Sequence, residues 1–99
     1  MARYLRDCGE FTEPSINHML HALGCGNRAT YMRRGKEYYK PYRNYYDNGP
    51  QQNLEWDLMV AQGYAECIKQ GEDFWYIVTD QGLEYLSDVT GVHFYPVGV

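Results

Sequence analysis

Residues 54–86 read LEWDLMVAQGYAECIKQGEDFWYIVTDQGLEYL, and this stretch decides the fold. Its first part lies in a predicted helix over residues 51–62, which ends at Gly63, because glycine readily adopts the left-handed conformation that stops a helix. Three apolar side chains at helical spacing are expected to form its buried stripe: Leu54, Leu58 and Ala61. Trp56, Met59 and Val60 widen that stripe.

Two strands and a second helix follow. Residues 64–68 are predicted to form a short strand, and residues 74–78, which are rich in aromatic and branched side chains, are predicted to form a second one. The polar residues 69–73 between them predict a five-residue turn. Thr79 is placed to cap a helix that runs to Asp88. The side chains expected to face inward from that helix are Leu83, Leu86 and Val89.

A further helix is predicted nearer the N-terminus, over residues 13–23. Thr12 or Ser15 can cap it, Pro14 is tolerated in its first turn, and Gly24 supplies a left-handed stop. Its buried face is expected to consist of four residues at i, i+3, i+4 and i+7 spacing: Ile16, Met19, Leu20 and Leu23.

The whole chain, residues 1–99, has the length of one domain. The pattern predicts an α+β fold: a compact winged-helix-like domain of helices with a small antiparallel wing hairpin. Gly91 is expected to end the last helix. The extended apolar tail at residues 92–97 can then add a strand to a sheet edge or form a homodimer with another subunit.

Charge is divided unevenly along the chain. Residues 1–46 hold eight Lys or Arg and four Asp or Glu, whereas residues 47–99 hold one lysine and nine Asp or Glu. Such a chain can meet an anionic partner with one half and a cationic partner with the other, unless folding mixes the two halves on the surface.

The strongest functional pattern is the segment 27–49, a basic insertion rich in tyrosine. Its Pro41 and its Asn-Gly-Pro ending predict a helix fragment followed by a loop. The residues expected to hold nucleic acid are Arg28, Arg33, Arg34, Lys36, Lys40, Arg43, Tyr38 and Tyr42. Cations neutralise phosphate and tyrosine rings stack on exposed bases, although such tyrosines can equally pack over a small core.

Cysteines and histidines allow two interpretations. Cys8, Cys25 and Cys67 are odd in number and share no C-x-x-C spacing, so buried, reduced thiols are expected. His18 and His21 lie one turn apart between Cys8 and Cys25, a set that could complete a tetrahedral zinc site. The spacing matches no common zinc module, so we expect no metal and no other cofactor, and partly exposed helix histidines.

The second half of the chain resembles known proteins. The run Leu58-x4-Gly63-Tyr64, a hairpin, and then Tyr76-Ile77-Val78-Thr79-x2-Gly82-x3-Leu86 is similar to the wing region of MarR- and PadR-like winged-helix proteins. The chain, with Tyr42-Arg43-Asn44-Tyr45, also looks like small phage-encoded proteins. The resemblance implies DNA binding through a recognition helix and wing.

Two functions are expected, and neither is enzymatic, since the sequence lacks G-x-S-x-G, P-loop and H-E-x-x-H motifs. The first is a phage or mobile-element protein that binds nucleic acid through the basic segment. The helix at residues 54–62, which corresponds to the recognition helix, is acidic and would repel phosphate. The alternative is an anti-CRISPR-like inhibitor of a host defence nucleoprotein that mimics nucleic acid with four carboxylates: Glu55, Asp57, Glu72 and Asp73. The sequence has neither a membrane-length apolar run nor a secretory signal, and a cytoplasmic location is expected.

Overall fold

The computed structural model describes residues 3–5 and 13–98. These residues form three helices and six short strands in the order α1 (Pro14–Ala22), β1 (Tyr31–Arg33), β2 (Lys36–Tyr39), β3 (Tyr46–Asp47), α2 (Leu54–Ala61), β4 (Ala65–Gln70), β5 (Asp73–Val78), α3 (Asp80–Thr90) and β6 (His93–Phe94). The radius of gyration, 13.2 Å, is that of a compact chain of this length. The predicted α+β class is therefore confirmed.

The strands form two small sheets. The first has the order β1-β2-β6, in which β1 and β2 are antiparallel and β6 runs parallel to β2. The second is antiparallel and has the order β3-β5-β4. Buried residues from all three helices and both sheets form one apolar cluster, in which Trp56, Tyr39 and Tyr76 are the largest fully buried side chains.

Helix α1 begins and ends close to the predicted limits. Pro14 occupies its first turn, and the capping residue is Glu13, whose side chain makes no capping bond. The prediction that Ser15 caps the helix is wrong, because Ser15 is already helical, and Thr12 lies outside the described residues. Gly24 has a φ of +73°, as the predicted left-handed stop requires.

The prediction of a helix fragment and loop in the segment 27–49 is wrong. The segment supplies β1, β2 and β3 instead. Arg34 and Gly35, with φ of 52° and 77°, make a two-residue turn of the kind that joins tightly paired strands. Tyrosine favours strands, and the tight turn allows the two stretches on either side of it to pair.

The hairpin of β4 and β5 is longer than predicted. The two strands pair from Ala65–Val78 to Gln70–Asp73, so the turn contains only Gly71 and Glu72 rather than five residues. Gly71 has a φ of 61°, which allows a tight reversal of the chain. As a result, β4 extends two residues and β5 one residue into the expected loop.

Helix α2 buries a different side from the one predicted. Trp56 and Met59 are 0% and 1% exposed, whereas Leu54 and Leu58 are 75% and 58% exposed, and Ala61 is exposed as well. The expected buried stripe is therefore wrong. Apolar residues lie on two opposite sides of this helix, so their spacing alone does not identify the side that enters the core.

Helix α3 confirms most of its predicted features. The side chain of Thr79 accepts a hydrogen bond from the Gly82 nitrogen, and the left-handed Gly91 ends the helix. Leu83 and Leu86 are buried as predicted, but the prediction for Val89 is wrong, since Val89 is exposed and Val92 in the tail fills the core instead. The tail adds a strand, β6, to the edge of β2 within the same chain.

Candidate nucleic-acid interface

The β1–β2 hairpin aligns tyrosines on the outer side of the first sheet. Tyr31 lies opposite Tyr38 in the antiparallel register, and Tyr38 lies opposite His93 of β6. Because alternate residues of a strand share a side of the sheet, Tyr95 follows His93 onto that same side. The fold thus brings together two pairs of rings that come from distant parts of the sequence.

These rings form a continuous row. The ring centroids of Tyr31 and Tyr38 are 5.6 Å apart, those of Tyr38 and Tyr95 are 5.9 Å apart, and both pairs are close to parallel. His93 meets Tyr38 and Tyr95 edge to face, at 5.7 Å and 4.6 Å. The three tyrosines are half-buried and His93 is exposed, so the row faces solvent.

Three exposed cations share this side of the sheet. Arg33 and Lys36 lie opposite each other at the end of the hairpin, and Lys40 places its ammonium 5.9 Å from the Tyr31 ring and 5.8 Å from the Tyr95 ring. We call the four rings and three cations the aromatic face: Tyr31, Tyr38, His93, Tyr95, Arg33, Lys36 and Lys40.

The positive charge at the end of this hairpin is unusual for a strand pair. Like charges directly opposite each other destabilise an antiparallel pair, yet Arg33 faces Lys36. Within residues 3–5 and 13–98, neither side chain forms an ion pair with a carboxylate, and the same is true of Arg34 in the turn. The arrangement leaves these charges available to an anion.

The carboxylate of β2 is held on the opposite side of the sheet. Glu37 accepts hydrogen bonds from Thr30 and from the Arg3 guanidinium, the latter at 3.1 Å. Burial acts to raise the pKa of Glu37, but these two bonds and the Arg3 charge outweigh it and hold the pKa below its usual value. The charge of Glu37 is therefore already balanced by Arg3 within the fold.

A cleft of about 770 Å³ opens beside the aromatic face. It exists because β6 pairs only with Tyr38 and Tyr39, which leaves the first half of β2 without a strand on that side. The residues that line it are Met32, Gly35, Lys36, Glu37, Tyr38, Gly91 and His93. The cleft has room for a flat ring next to Tyr38, and the Lys36 ammonium at its rim can contact a phosphate attached to that ring.

Three of the predicted nucleic-acid residues make contacts within the fold, away from the aromatic face. Arg28 donates to the Lys40 carbonyl at 2.8 Å, and Arg43 donates to the His21 carbonyl, at the end of α1, at 2.8 Å. Both guanidinium groups lie over the ring of Tyr42, at 5.1 Å and 5.6 Å. Arg28, Arg43 and Tyr42 thus form a separate cluster around the C-terminal end of α1.

The four predicted acidic residues are divided between two places. Glu55 lies 2.9 Å from His18 Nε2, and Asp57 accepts a hydrogen bond from the Tyr76 hydroxyl at 2.8 Å. Glu72 is in the exposed turn between β4 and β5, and Asp73 begins β5. Asp73 is three residues from Tyr76, about 10 Å along a strand, so the two pairs are not adjacent.

Sequence reasoning missed His93 and Tyr95 as parts of the site, and it named Tyr31 only among the tyrosines of its segment. The one available signal was the alternation of His93 and Tyr95 with apolar residues in the extended tail. That alternation indicates a strand with one polar and one buried side. It does not identify the strand with which this strand pairs.

The thiols and histidines of the described part lie in separate places. Burial raises the pKa of the Cys25 thiol to about 12, despite the hydrogen bond with Tyr39 and the charge of Arg43. Cys67 is exposed, so the expectation that it is buried is wrong, and Cys8 lies outside the described residues. His18 is half-buried and His21 is exposed, and residues 3–5 and 13–98 contain no group of three or more His, Cys, Asp or Glu that could hold a metal ion.

No described helix has the length and apolar character needed to cross a membrane. Comparison of the chain with family models, curated proteins and solved structures found no match.

Proposed function

We propose that this protein is a non-enzymatic binding protein that holds single-stranded nucleic acid on the aromatic face. The observation that carries the proposal is the alignment of Tyr31, Tyr38 and Tyr95 in one solvent-facing row beside cations that form no ion pair with a described carboxylate. Rings of this kind stack on unpaired bases of any sequence, and neighbouring cations hold the phosphates between those bases.

Each part of the aromatic face has a role in this proposal. Tyr38 is the central ring, because it contacts Tyr31, His93 and Tyr95. The cleft beside it accepts the edge of a base, and Lys36 at the rim of that cleft neutralises the adjoining phosphate. Arg33 and Arg34 extend the positive surface to the end of the hairpin.

A winged-helix relationship belongs to the same proposal. Helix α2 ends at Gly63, the β4–β5 hairpin follows, and Thr79 opens α3, in the order that the resemblance to MarR- and PadR-like proteins implies. A helix-turn-helix joins its two helices by a short turn, whereas α1 and α2 are separated by β1, β2 and β3. We therefore assign the α2–β4–β5–α3 unit the role of a winged-helix-like scaffold and the aromatic face the role of the binding surface.

The acidic-mimic function has less support. Such a mimic needs a continuous row of carboxylates available to a cationic channel. Asp57 accepts the hydrogen bond of the Tyr76 hydroxyl, and Glu55 and Asp57 on α2 are not adjacent to Glu72 and Asp73 at the β4–β5 turn. The geometry thus favours the basic surface as the binding surface.

Fluorescence anisotropy with labelled oligonucleotides tests the proposal. Single-stranded DNA and RNA should bind more tightly than a duplex of the same sequence, since paired bases cannot stack on the rings, and binding should weaken as salt increases. Tyr38→Ala should remove about 1–3 kcal/mol of binding free energy.

Tyr45→Ala is the matched control. Tyr45 is an exposed tyrosine of the same segment, but its ring stacks on Trp75 of the second sheet, at 5.0 Å. Its substitution should leave binding unchanged. Absence of binding at low salt, or equal losses from Tyr38→Ala and Tyr45→Ala, would rule out the aromatic face as a nucleic-acid interface.

A further inference from the structure

Helix α2 carries apolar side chains on two opposite sides. One side, with Trp56 and Met59, is buried in the core. The other side is an exposed stripe of three residues spaced four and three positions apart, which we call the leucine stripe: Leu54, Leu58 and Ala61. An apolar stripe on a helix normally faces a core or a partner, whereas Leu54 and Leu58 are largely exposed among the described residues.

The leucine stripe cannot turn into the core. Asn53 caps α2 through the Trp56 nitrogen, and its own nitrogen donates to the Tyr76 hydroxyl at 3.1 Å. The same hydroxyl donates to Asp57 at 2.8 Å. These bonds fix the rotation of α2 about its axis, and the Trp56 ring stacks on Tyr76 at 5.3 Å.

A small cleft with acidic walls adjoins the leucine stripe. It has a volume of about 240 Å³ and lies between the start of α1 and the middle of α2. Leu58 and Met59 supply its apolar lining, and the carboxylate residues Glu13 and Glu55 are both exposed beside it. The contact with His18 Nε2, at 2.9 Å, holds the Glu55 carboxylate in position.

We propose that the leucine stripe and this cleft bind a cationic amphipathic helix of another protein. The apolar side of that helix covers Leu54 and Leu58, in the manner of helices that dock through residues at i, i+3, i+4 and i+7 spacing. A lysine or arginine of the partner lays its aliphatic stem on Leu58 and brings its charge between Glu13 and Glu55. This inference is independent of nucleic-acid binding, which uses a different surface.

Charge decides between this partner and a second copy of the chain. Two α2 helices packed antiparallel about Leu58 would match their apolar stripes. That dimer would also bring the Glu13 and Glu55 carboxylates of both copies to one interface, and α2 has no Lys or Arg to pair with them. Like charges across an interface suppress association, whereas a cationic helix is attracted.

A binding experiment with two model helices tests the proposal. The probe is a fluorescein-labelled amphipathic peptide of leucine and lysine, and its partner probe has glutamate in place of every lysine. The lysine peptide should bind the full-length protein and the glutamate peptide should not. Leu58→Asp should raise the Kd of the lysine peptide by about tenfold or more, as expected for the centre of an interface.

The direction of the Leu58→Asp effect is informative. The substitution adds a negative charge, so general attraction between an acidic protein and a basic peptide would become stronger, whereas docking on the leucine stripe becomes weaker. Val89→Asp is the matched control, because Val89 is an exposed apolar residue on α3, and it should not weaken binding. Leu54→Asp is the second test variant if Leu58→Asp lowers the melting temperature.

Four results would overturn the proposal. The first is that the lysine peptide fails to bind, and the second is that both peptides bind equally. The third is that the Asp variants at positions 58 and 89 behave alike. The fourth is a wild-type dimer in analytical ultracentrifugation that Leu58→Asp dissociates, since the stripe would then bind a second copy. Tyr38→Ala should retain peptide binding, which separates this result from the outcome of the nucleic-acid experiment.

Discussion

Tyr42 lies against Gly24 so closely that a Cβ on Gly24 would be 2.5 Å from Cε1 of the Tyr42 ring. Asn27 donates to the Tyr42 hydroxyl at 3.0 Å, and the Arg28 guanidinium lies over the Tyr42 ring, 5.1 Å from its centroid. Tyr42 is thus a structural cover for the end of α1, although its segment is typical of a nucleic-acid-binding surface.

Gly24→Ala should destabilise the protein because of this contact. The left-handed backbone at φ +73° costs an alanine about 1–2 kcal/mol, and the overlap with Tyr42 adds to that cost. The control is Gly26→Ala, because a Cβ on Gly26 meets nothing within 4 Å. Urea denaturation of both variants measures the difference, and equal midpoints would show that Tyr42 does not pack on Gly24 in solution.

The basic residues of the segment 27–49 should separate into two groups by experiment. Arg33→Ala and Lys36→Ala should each reduce the slope of log K against log salt by about 0.7 on a single strand, because each removes one phosphate contact. Neither should change the melting temperature by much, since both side chains are exposed and form no ion pair with the described residues.

Arg43→Ala should have the opposite pattern. Its guanidinium donates to the last turn of α1 and lies over Tyr42 and Tyr45, so its loss should lower the free energy of unfolding by about 1–3 kcal/mol. The salt slope should remain that of the wild type. A salt slope that falls equally in the Arg33 and Arg43 variants would contradict the division of the segment.

Local signals in the sequence were sufficient to predict much of the fold. Gly24, Gly63 and Gly91 each have the positive φ expected at a helix end, and the Thr79 cap is formed by its own side chain. These features depend on a few neighbouring residues. For that reason, the limits of the three helices follow the prediction to within a few residues.

Features that depend on distant parts of the chain were not predictable. Tyr76 of β5 determines which side of α2 enters the core, because its hydroxyl accepts a hydrogen bond from the Asn53 nitrogen and donates one to Asp57. The Arg34-Gly35 turn lacks the Asn-Gly signal that marks most such hairpins. The aromatic face exists only because β6 pairs with β2, and no local pattern specifies that His93 lies beside Tyr38.

The two described cysteines should differ sharply in reactivity. Burial raises the pKa of Cys25 to about 12, so its thiolate is scarce at neutral pH, whereas Cys67 is exposed on the edge strand β4. In a Cys8→Ser background, a thiol reagent should modify Cys67 rapidly and Cys25 only in denaturant. Mass spectrometry identifies the modified residue, and rapid modification of Cys25 in the native protein would contradict its burial.

Glu37 should make the stability of the protein sensitive to acid. Burial acts to raise its pKa, but the hydrogen bonds from Thr30 and Arg3 prevail, and the folded-state pKa is lower than the usual 4.5. A group with a lowered pKa stabilises the fold at pH values above its unfolded pKa. That stabilisation is lost as the pH falls from about 5 through the folded-state pKa.

The corresponding experiment compares Glu37→Gln with the wild type by urea denaturation. At neutral pH the variant should be less stable by about 1–2 kcal/mol, since a charge-assisted bond is replaced by a neutral one. At about pH 3 the two proteins should differ much less, because the wild-type carboxylate is then largely protonated. Glu72→Gln, in the exposed β4–β5 turn, is the control and should follow the wild type at both pH values. A Glu37→Gln variant that loses as much stability on acidification as the wild type would show that the Arg3–Glu37–Thr30 cluster does not hold the ionised carboxylate.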